Sequence, residues 1–379
     1  MQLTIQVQLV PDEIQAAALL QTMYQFNEIC NRISSIAFEY RCFQPIALHN
    51  LKLNGYDVSL YYQLKNIYPS ASSTHIQLAF RKVADAYRVC RTKKKKFKKP
   101  FIFKNTSAVT YNHTTLNVKS IDYNPINTSY QTLSTVIGRI GVFGRFGDYQ
   151  SQLLLSNCKT GEVKLVYRKH KFYLYIITNQ PEVLLIEPTS HLGVDLGISN
   201  IATTSQGKIY SGVQIDKVRT KYQIHRSSLQ QCKTKSAKRR LKQVSGKEAS
   251  FRNDINHRIS KEIIVNAKGT QSCIVLEDLK GIRERITVGY KQRSRHHGWS
   301  FAQLRSFITY KAQMAGIPII IVNPRHTSQR CSICGHTERK NRKSQFRFHC
   351  CSCGHDAHAD YNAACNLSMM GYTNNDTTH

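Results

Sequence analysis

Acidic residues are scarce in this chain. Only 23 of its 379 residues are Asp or Glu, against 54 Lys and Arg, so the formal net charge is +31 with neutral histidine. Such a surface attracts polyanions, because phosphate contacts release condensed counterions. Long hydrophobic runs are missing too: the longest, residues 317–322, is far shorter than the roughly 20 residues that cross a bilayer. We therefore expect a nucleic-acid partner and no membrane.

The beginning of the sequence lacks the features of a secretory leader. Residues 1–10 contain no basic stretch, and two acids follow at once. Of the 12 cysteines, seven are scattered singly and five lie between Cys331 and Cys353. Clustering of this kind indicates metal binding rather than a disulfide scaffold. A reducing, intracellular compartment is the expectation.

Two kinds of periodicity divide the chain. Residues 1–10 alternate as a strand, residues 11–99 show helical periodicity, and short alternating runs predict an antiparallel β unit over residues 100–186. From residue 190 onward strands alternate with helical stretches, which is typical of an α/β layer. Residues 217–267 predict one long, very basic helical stretch.

A lysine-rich run closes the helical region. It comprises Lys93, Lys94, Lys95, Lys96, Lys98 and Lys99. Such a run is either a solvated linker or a loop that contacts phosphates. The strong positive charge of the whole chain favours the phosphate-contacting loop.

Four cysteines form two closely spaced pairs. Cys331-x2-Cys334 is followed, after fifteen residues, by Cys350-x2-Cys353, and a glycine follows each pair. This spacing places four thiolates tetrahedrally around one structural Zn²⁺, in a site closed by four protein ligands. Lower-ranked alternative ligands are Cys351, His349 and His355. Basic residues that predict a phosphate-facing surface on this ribbon are Arg330, Arg339, Lys340, Arg342, Lys343 and Arg347.

Three acids lie in contexts where a carboxylate is costly. Asp195 lies within an apolar strand, Glu277 ends another, and Asp360 stands at the start of a helix. A buried carboxylate is unfavourable unless it is paired or binds metal. Taken alone, each acid is as consistent with a helix cap or a solvent-facing strand end as with a catalytic role. Together they predict a site for two Mg²⁺ or Mn²⁺ ions of the kind that hydrolyses phosphodiesters, with Asp278 and Asp356 as alternatives to Glu277 and Asp360.

These motifs resemble those of TnpB (OrfB) proteins. The match is carried by Gly193-Val-Asp195-Leu-Gly-Ile-Ser-Asn200, by Val275-Leu-Glu277-Asp-Leu, and by the cysteine pairs followed by Asp360-Tyr-Asn-Ala-Ala364. The resemblance implies an α/β RNase H-like (RuvC) domain with an inserted zinc ribbon, preceded by a β-barrel-like wedge unit with an inserted helical recognition unit. The implied boundaries are 1–10 and 100–186 for the wedge, 11–99 for the helical unit, 190–325 and 356–371 for the RuvC domain, 326–355 for the ribbon and 372–379 for a disordered tail.

The resemblance also implies a function. Asp195 would bridge two metal ions while Glu277 and Asp360 complete their shells. A monomeric protein would bind a transposon-end guide RNA and cut double-stranded DNA beside a short transposon-associated motif, with base pairing selecting the target. The implied location is the prokaryotic cytoplasm, at the nucleoid. Family members often carry an acid where this chain has His358, which affects the surroundings of the third acid but removes no member of the triad.

Other functions fit part of the pattern. A small type V CRISPR effector shares the RuvC domain and ribbon and differs mainly in the source of its guide. An RNA-independent transposase or resolvase, or a regulator that binds nucleic acid without cutting, would also carry a basic surface. Because all three acids are present, the sequence favours the RNA-guided DNA endonuclease.

Overall fold

The computed structural model describes the chain except residues 1, 54, 56, 93–98, 120–127, 149, 151–152, 154–158, 279–300 and 376–379. It divides into two compact units, residues 1–181 and 182–379. Within the described residues, the longer helices are too polar to cross a bilayer. Most of the lysine-rich run lies outside the described residues, so its predicted role is untested there.

The first unit opens with a strand and four helices: β1 (Gln2–Val10), α1 (Glu13–Glu39), α2 (Pro45–Asn50), α3 (Leu60–Ile67) and α4 (Ser73–Thr92). Asp12 begins α1 by capping it, since its side chain accepts a hydrogen bond from the backbone N–H of Gln15 at 2.8 Å. The Gln15 side chain returns the bond to the backbone N–H of Asp12. This reciprocal pair satisfies two N–H groups that a helix start leaves free.

Among its described residues the first unit continues with β2 (Val109–Tyr111), β3 (Leu116–Lys119), β4 (Thr128–Thr135), β5 (Gly138–Arg145), β6 (Lys159–Arg168) and β7 (Lys171–Asn179). With β1 they form a near-closed antiparallel sheet in the order β2-β6-β7-β1-β5-β4-β3. The predicted antiparallel β unit is thus present. Ile5 and Leu174 from the sheet share one hydrophobic core with Phe26 of α1 and Phe80 of α4. The finer division into wedge and recognition units stays a prediction.

The described elements of the second unit begin with β8 (Ser190–Asp195), β9 (Asn200–Thr204), β10 (Ile209–Ser211), α5 (Val213–Gln231), α6 (Lys235–Val244), α7 (Lys247–Gly269) and β11 (Ser272–Glu277). They continue with α8 (Phe301–Met314), β12 (Ile319–Val322), β13 (Arg347–His349), β14 (Asp356–His358) and α9 (Ala359–Asn375). Strands β8 to β12 form one sheet in the order β10-β9-β8-β11-β12. In it β8, β11 and β12 are parallel, and β9 runs antiparallel to β8.

Helices cover both faces of this sheet. Side chains alternate across a strand, so Leu192 and Val194 of β8 face α7 and α8 in one core with Ile274 and Leu276. Val275 faces the other way and packs against α9. Burial on both faces explains why these strands read as nearly continuous apolar runs. The sheet order and its coverage agree with the RNase H-like fold expected from the sequence.

Two local expectations were wrong. The predicted single helical stretch over residues 217–267 is three helices, broken after Cys232, where Lys233 has φ +51°, and at Gly246 with φ +87°. A left-handed residue cannot continue a right-handed helix. The last helix, α9, runs to Asn375, so the first four residues of the predicted tail are helical.

Candidate active site and metal centre

Two of the three predicted acids lie at the same edge of the central sheet. Asp195 is the last residue of β8, and Glu277 is the last residue of the adjacent parallel strand β11. The register pairs Leu276 with Val194, so the two acids follow neighbouring paired residues. Because the carboxyl ends of parallel strands meet at one edge, both side chains project at the place where open α/β sheets bind ligands.

The third acid reaches this edge because α9 lies directly on β8. Gly193 permits the contact: a Cβ atom at this position would collide with the backbone oxygen of Ala364 and the backbone nitrogen of Ser368. Asp360 stands in the first turn of α9 and is 5% exposed. Gly193 therefore allows α9 to lie close enough to β8 for Asp360 to reach the sheet edge.

Hydrogen bonds orient Asp360. The side-chain nitrogen of Asn200 donates to its Oδ2 at 2.9 Å. The backbone N–H of Asp360 donates to Nδ1 of His358 at 3.3 Å. His358, where the family often carries an acid, thus satisfies a free N–H at the start of α9.

The charges of the three acids act on one another. Burial raises the pKa of Asp195 well above its usual value, and the carboxylates of Glu277 and Asp360 raise it further. Burial also raises the pKa of Glu277. Arg342 opposes both shifts and lies 3.6 Å from Oδ1 of Asp360. Three carboxylates against one guanidinium leave an excess of negative charge that favours a bound cation.

Oxygen ligands of this kind suit hard divalent cations such as Mg²⁺ or Mn²⁺. The three carboxylates are spaced more widely than the four thiolates: among described residues, only the thiolates bring at least three His, Cys, Asp or Glu ligand atoms all within 4.8 Å of one another. The oxygen donors therefore suit a hard divalent cation, and the number of ions stays a prediction.

The alternative acids take other partners. Asp278 forms an ion pair with Arg305, with its Oδ1 3.0 Å from the guanidinium. Asp356 pairs with Arg347 at 2.7 Å within the ribbon and lies 3.4 Å from Nδ1 of His349. Asp278 and Asp356 thus pair with arginines, whereas the carboxylates of Glu277 and Asp360 raise the pKa of Asp195.

The four predicted thiolates converge. The sulfurs of Cys331 and Cys353 are 3.7 Å apart, and those of Cys334 and Cys350 are 3.6 Å apart. Tetrahedral zinc with bonds of about 2.3 Å separates its sulfurs by roughly 3.8 Å, so the cage can bind zinc. The backbone N–H of Cys353 lowers the pKa of Cys350 to about 6, whereas hydrogen bonds with the neighbouring sulfurs raise the pKa of Cys353. Metal binding needs this thiolate form.

Asn341 joins the two halves of the zinc ribbon. It is fully buried, and its side-chain nitrogen donates to the backbone oxygens of Gln329 and His336 at 3.0 and 3.2 Å. Its side-chain oxygen accepts from the backbone N–H of Cys351 at 2.9 Å. Each cysteine pair is thereby held in place by the same side chain, which the sequence did not single out.

The predicted basic surface of the ribbon is only partly free. Arg330, Arg339 and Lys343 are exposed, as a phosphate-facing surface requires. Arg342 instead points at the carboxylate cluster, and Arg347 pairs with Asp356. Lys99, the one member of the lysine-rich run that the structure describes, is also exposed.

The sheet, the helix on it and the acids at its edge define an RNase H-like fold of the RuvC type with a zinc-ribbon insertion. Residues 175–280 match the OrfB_IS605 family model, "Probable transposase", and residues 301–367 match the Cas12f1-like TNB domain. The predicted resemblance to TnpB (OrfB) proteins is confirmed over these ranges. Asp195 and Glu277 lie in the first range, Asp360 and the four cysteines in the second.

Curated relatives and solved structures extend these matches. The chain is 35% identical over 221 residues to the CRISPR-associated endodeoxyribonuclease Cas12f1 of Sulfoacidibacillus thermotolerans, covering 53% of this chain and 51% of that protein. It is 30% identical over 224 residues to the candidate RNA-guided DNA endonuclease InsQ of Escherichia coli (strain K12), covering 53% of this chain and 54% of that protein. The match thus spans about half the length of each relative.

A chain of a Cas12f1–sgRNA–target DNA cryo-EM structure shares the fold. Its TM-score is 0.65 at 17% identity, over 94% of this chain and 83% of that one. At this identity the likeness concerns the fold alone.

Proposed function

We propose that this protein is an RNA-guided DNA endonuclease of the TnpB kind, which hydrolyses DNA phosphodiesters at the carboxylate cluster. The observation that carries the proposal is the convergence of Asp195, Glu277 and Asp360, which raises the pKa of Asp195. These acids come from two strands and a helix that are far apart in sequence. A regulator that only binds nucleic acid has no use for carboxylates gathered at a sheet edge.

Each acid has a distinct task in this proposal. Asp195 would bridge two Mg²⁺ or Mn²⁺ ions, because it interacts with both other acids, and Glu277 and Asp360 would each bind one of them. The ions supply an activated water and stabilise the entering and leaving oxygens. Asn200 and Thr327 orient the outer acids through hydrogen bonds of 2.9 and 2.6 Å. The four-cysteine cage would hold a single structural Zn²⁺.

A guide RNA derived from a transposon end and double-stranded target DNA are the proposed partners. Both are polyanions, which suits the net charge of +31. Lys93, Lys94, Lys95, Lys96, Lys98, Lys99 and Arg330 are the proposed phosphate contacts. The relatives InsQ and Cas12f1 are named for RNA-guided or CRISPR-associated DNA cleavage. The proposed form is a monomer in a ribonucleoprotein, at the nucleoid in the prokaryotic cytoplasm.

The decisive experiment expresses the chain with its flanking DNA, sequences the RNA that copurifies, and tests cleavage of a plasmid carrying the complementary target. We expect cleavage that depends on Mg²⁺ and stops after treatment with RNase. Cleavage that survives RNase would favour an RNA-independent transposase. A guide transcribed from a repeat array, rather than from a transposon end, would favour a CRISPR effector.

Asp195→Asn is the matched test of the catalytic assignment, because it keeps the shape of the side chain and removes its charge. Cleavage should fall at least 10³-fold, as expected when a metal ligand of the reaction is lost, while RNA and DNA binding stay nearly unchanged. Asp254→Asn is the control, since Asp254 pairs with Arg258 on the surface at 3.3 Å. Equal cleavage by both variants would contradict the proposal.

A further inference from the structure

One short segment touches both the zinc cage and the carboxylate cluster. Residues 327–332, called the clip below, contain the zinc ligand Cys331 and begin with Thr327, which is 4% exposed. The hydroxyl of Thr327 lies 2.6 Å from Oε1 of Glu277. The first cysteine pair and the second acid are therefore separated by only one turn of backbone.

The Thr327 hydroxyl has one proton and two acceptors within reach. The backbone oxygen of Pro324 lies 3.1 Å away, and the Glu277 oxygen is closer. Hydrogen bonds from a hydroxyl to an ionised carboxylate are typically 2.5–2.7 Å long and stronger than neutral ones. The Thr327 hydroxyl therefore donates its hydrogen bond to an ionised Glu277, and this bond fixes the orientation of the Glu277 carboxylate.

Two buried asparagines join the clip to the helix that carries Asp360. The side-chain nitrogen of Asn366 donates to the backbone oxygens of Thr327 and Arg330, at 2.9 and 2.7 Å. Asn362 donates to the same Arg330 oxygen at 2.8 Å and accepts from the backbone N–H of Ser332 at 3.0 Å. Both asparagines are at most 2% exposed. The backbone on each side of Cys331 is thus tied to α9.

The turn before the clip is held in an uncommon conformation. His326 has φ +67°, in the left-handed region that few residues other than glycine adopt and in which asparagine, aspartate and histidine are the most frequent of these. Its backbone oxygen accepts from the N–H groups of Gln329 and Arg330 at 2.9 and 3.0 Å. This turn comes directly before Thr327, whose hydroxyl contacts Glu277.

We infer that the clip couples the zinc cage to the carboxylate cluster, with Thr327 as the positioning residue for Glu277 and with Asn362 and Asn366 fixing the same segment to the helix of Asp360. The inference rests on the proposed function, because it assigns the cluster to divalent cations. Zinc bound at Cys331 orders the clip. An ordered clip then fixes the orientation of Glu277 through Thr327 and the position of Asp360 through α9. The zinc cage therefore acts on the affinity of the cluster for hard cations as well as on the folding of the ribbon.

The test measures Mn²⁺ affinity of the full-length protein without nucleic acid, from the electron paramagnetic resonance signal of free Mn²⁺. Thr327→Val removes the hydroxyl at nearly constant volume and should weaken Mn²⁺ binding 10–100-fold, the usual effect of losing a partner that orients a metal ligand. Thr327→Ser should bind within about twofold of the unchanged protein, because it keeps the hydroxyl. Zinc content and melting temperature are measured on each variant.

Thr337→Val is the matched control. Thr337 is an exposed ribbon residue whose hydroxyl donates to the backbone oxygen of Gly335 at 3.1 Å. Its loss should leave Mn²⁺ affinity unchanged. Equal Mn²⁺ affinities for Thr327→Val and Thr337→Val, with zinc retained, would overturn the positioning role.

Zinc depletion tests the coupling itself and does not depend on the behaviour of any one variant. Dialysis against a chelator, which is then removed, should weaken Mn²⁺ binding of the unchanged protein by a similar 10–100-fold. The same depletion should add little to the defect of Thr327→Val, since two changes that act through one contact are not additive. Unchanged affinity after depletion, or fully additive losses, would refute the coupling.

Asp195→Asn separates this inference from the function on which it rests. If Asp195→Asn abolishes Mn²⁺ binding while Thr327→Val does not alter it, the inference about the clip is wrong and the proposed metal site is supported. If Asp195→Asn leaves Mn²⁺ binding intact, the carboxylate assignment fails, and the inference about the clip fails with it.

Discussion

Single side chains around the cluster have opposing effects on its charge. Burial and two neighbouring carboxylates favour the neutral form of Asp195, whereas Arg342 and the backbone N–H of Leu196 favour the ionised form. The upward pKa shift shows that the unfavourable contributions dominate. The cluster therefore reduces the stability of the protein at neutral pH until a cation binds.

The first residue-scale prediction concerns pH. The folded pKa of Asp195 is raised above its usual 3.8, so its contribution to stability is full below that value and is lost as the pH rises through the raised pKa. Without divalent cations, the melting temperature should fall over this window. Asp195→Asn should remove the dependence and melt about 2–4 °C higher at pH 8, the shift that roughly 1 kcal/mol produces in a domain of this size.

Thermal melts in buffers without added divalent ions measure this effect, and Asp254→Asn serves as the surface control. Added Mg²⁺ should stabilise the unchanged protein more than Asp195→Asn, because the variant lacks the bridging charge. A lower melting temperature for Asp195→Asn at every pH would contradict the account.

A second prediction at this scale concerns His75 in the first unit. His75 is 4% exposed, and the centroids of the Phe26 and Tyr111 rings lie 6.0 and 4.8 Å from that of its own ring. Burial lowers its pKa from 6.5 to about 4. Its contribution to stability is therefore present above pH 6.5 and lost as the pH falls towards 4, by about 3 kcal/mol in all.

His75→Phe should make the first unit less sensitive to acid, since it removes a base that the unfolded chain protonates. Urea unfolding at pH 7 and at pH 4.5 measures the difference. His113→Gln, at an exposed position, should keep the acid sensitivity of the unchanged protein. Equal acid sensitivity in His75→Phe and His113→Gln would show that other groups cause it.

Among the elements, the contact between β8 and α9 matters most for the site. Gly193 faces the backbone of α9, and Gly371 lies against His191 and Val275 in the same helix–sheet interface. Both glycines let the helix lie close to the sheet. The sequence revealed Gly193 as part of a motif beside Asp195, but only the packing explains why that position excludes a side chain.

Gly193→Ala should therefore displace α9 and with it Asp360. The new Cβ would meet backbone atoms, which cannot rotate away as a flexible side chain can. We expect a loss of about 1–3 kcal/mol in the free energy of unfolding and a much weaker affinity for Mn²⁺. Gly269→Ala at the end of α7 is the matched control, because no atom lies within 4 Å of the added Cβ. Similar effects of the two substitutions would argue against a close helix–sheet contact.

The order and type of most elements followed from the sequence, because buried strands and helices have distinct periodicities. The division of residues 217–267 into three helices did not follow. Those helices are so rich in exposed basic residues that their apolar pattern is weak, and a left-handed residue such as Lys233 leaves no trace in composition. Local backbone conformation imposed by the surrounding structure is not a property of the residue type.

For the molecule as a whole, charge governs association. The net charge of +31 already counts every acid in the chain, so ion pairs within the protein leave it unchanged and only bound anions can neutralise it. Binding of the proposed guide RNA should weaken by roughly 10³-fold between 50 and 200 mM salt, as expected for a protein that makes six or more phosphate contacts. Filter binding across a salt series measures the slope, and Asp195→Asn should reproduce it. A flat response would exclude an interface dominated by phosphate contacts.

Which parts of the site the sequence revealed depends on residue type. Acids within apolar strands and cysteines in repeated pairs are unusual enough to be singled out from the sequence. The four cysteines converge in the structure, and the role of the three acids stays a proposal. Asn341 was missed, and Thr327 and Asn362 were part of the motifs that carry the resemblance but received no role, because such residues are common and their partners lie elsewhere in the chain. Arg342 was assigned to the wrong surface, since a basic residue in a basic chain shows no preference until the fold places Asp360 beside it.

The order of the three acids along the chain bears on synthesis. The ribosome releases β8 and β11 well before α9, so a growing chain carries two acids and an uncovered sheet face. If translation stops early, the fragment lacks the helix that supplies Asp360 and covers Gly193. Under the proposed function, a polypeptide interrupted before α9 therefore cannot cut DNA, and the ability to cut appears only after this helix has been synthesised.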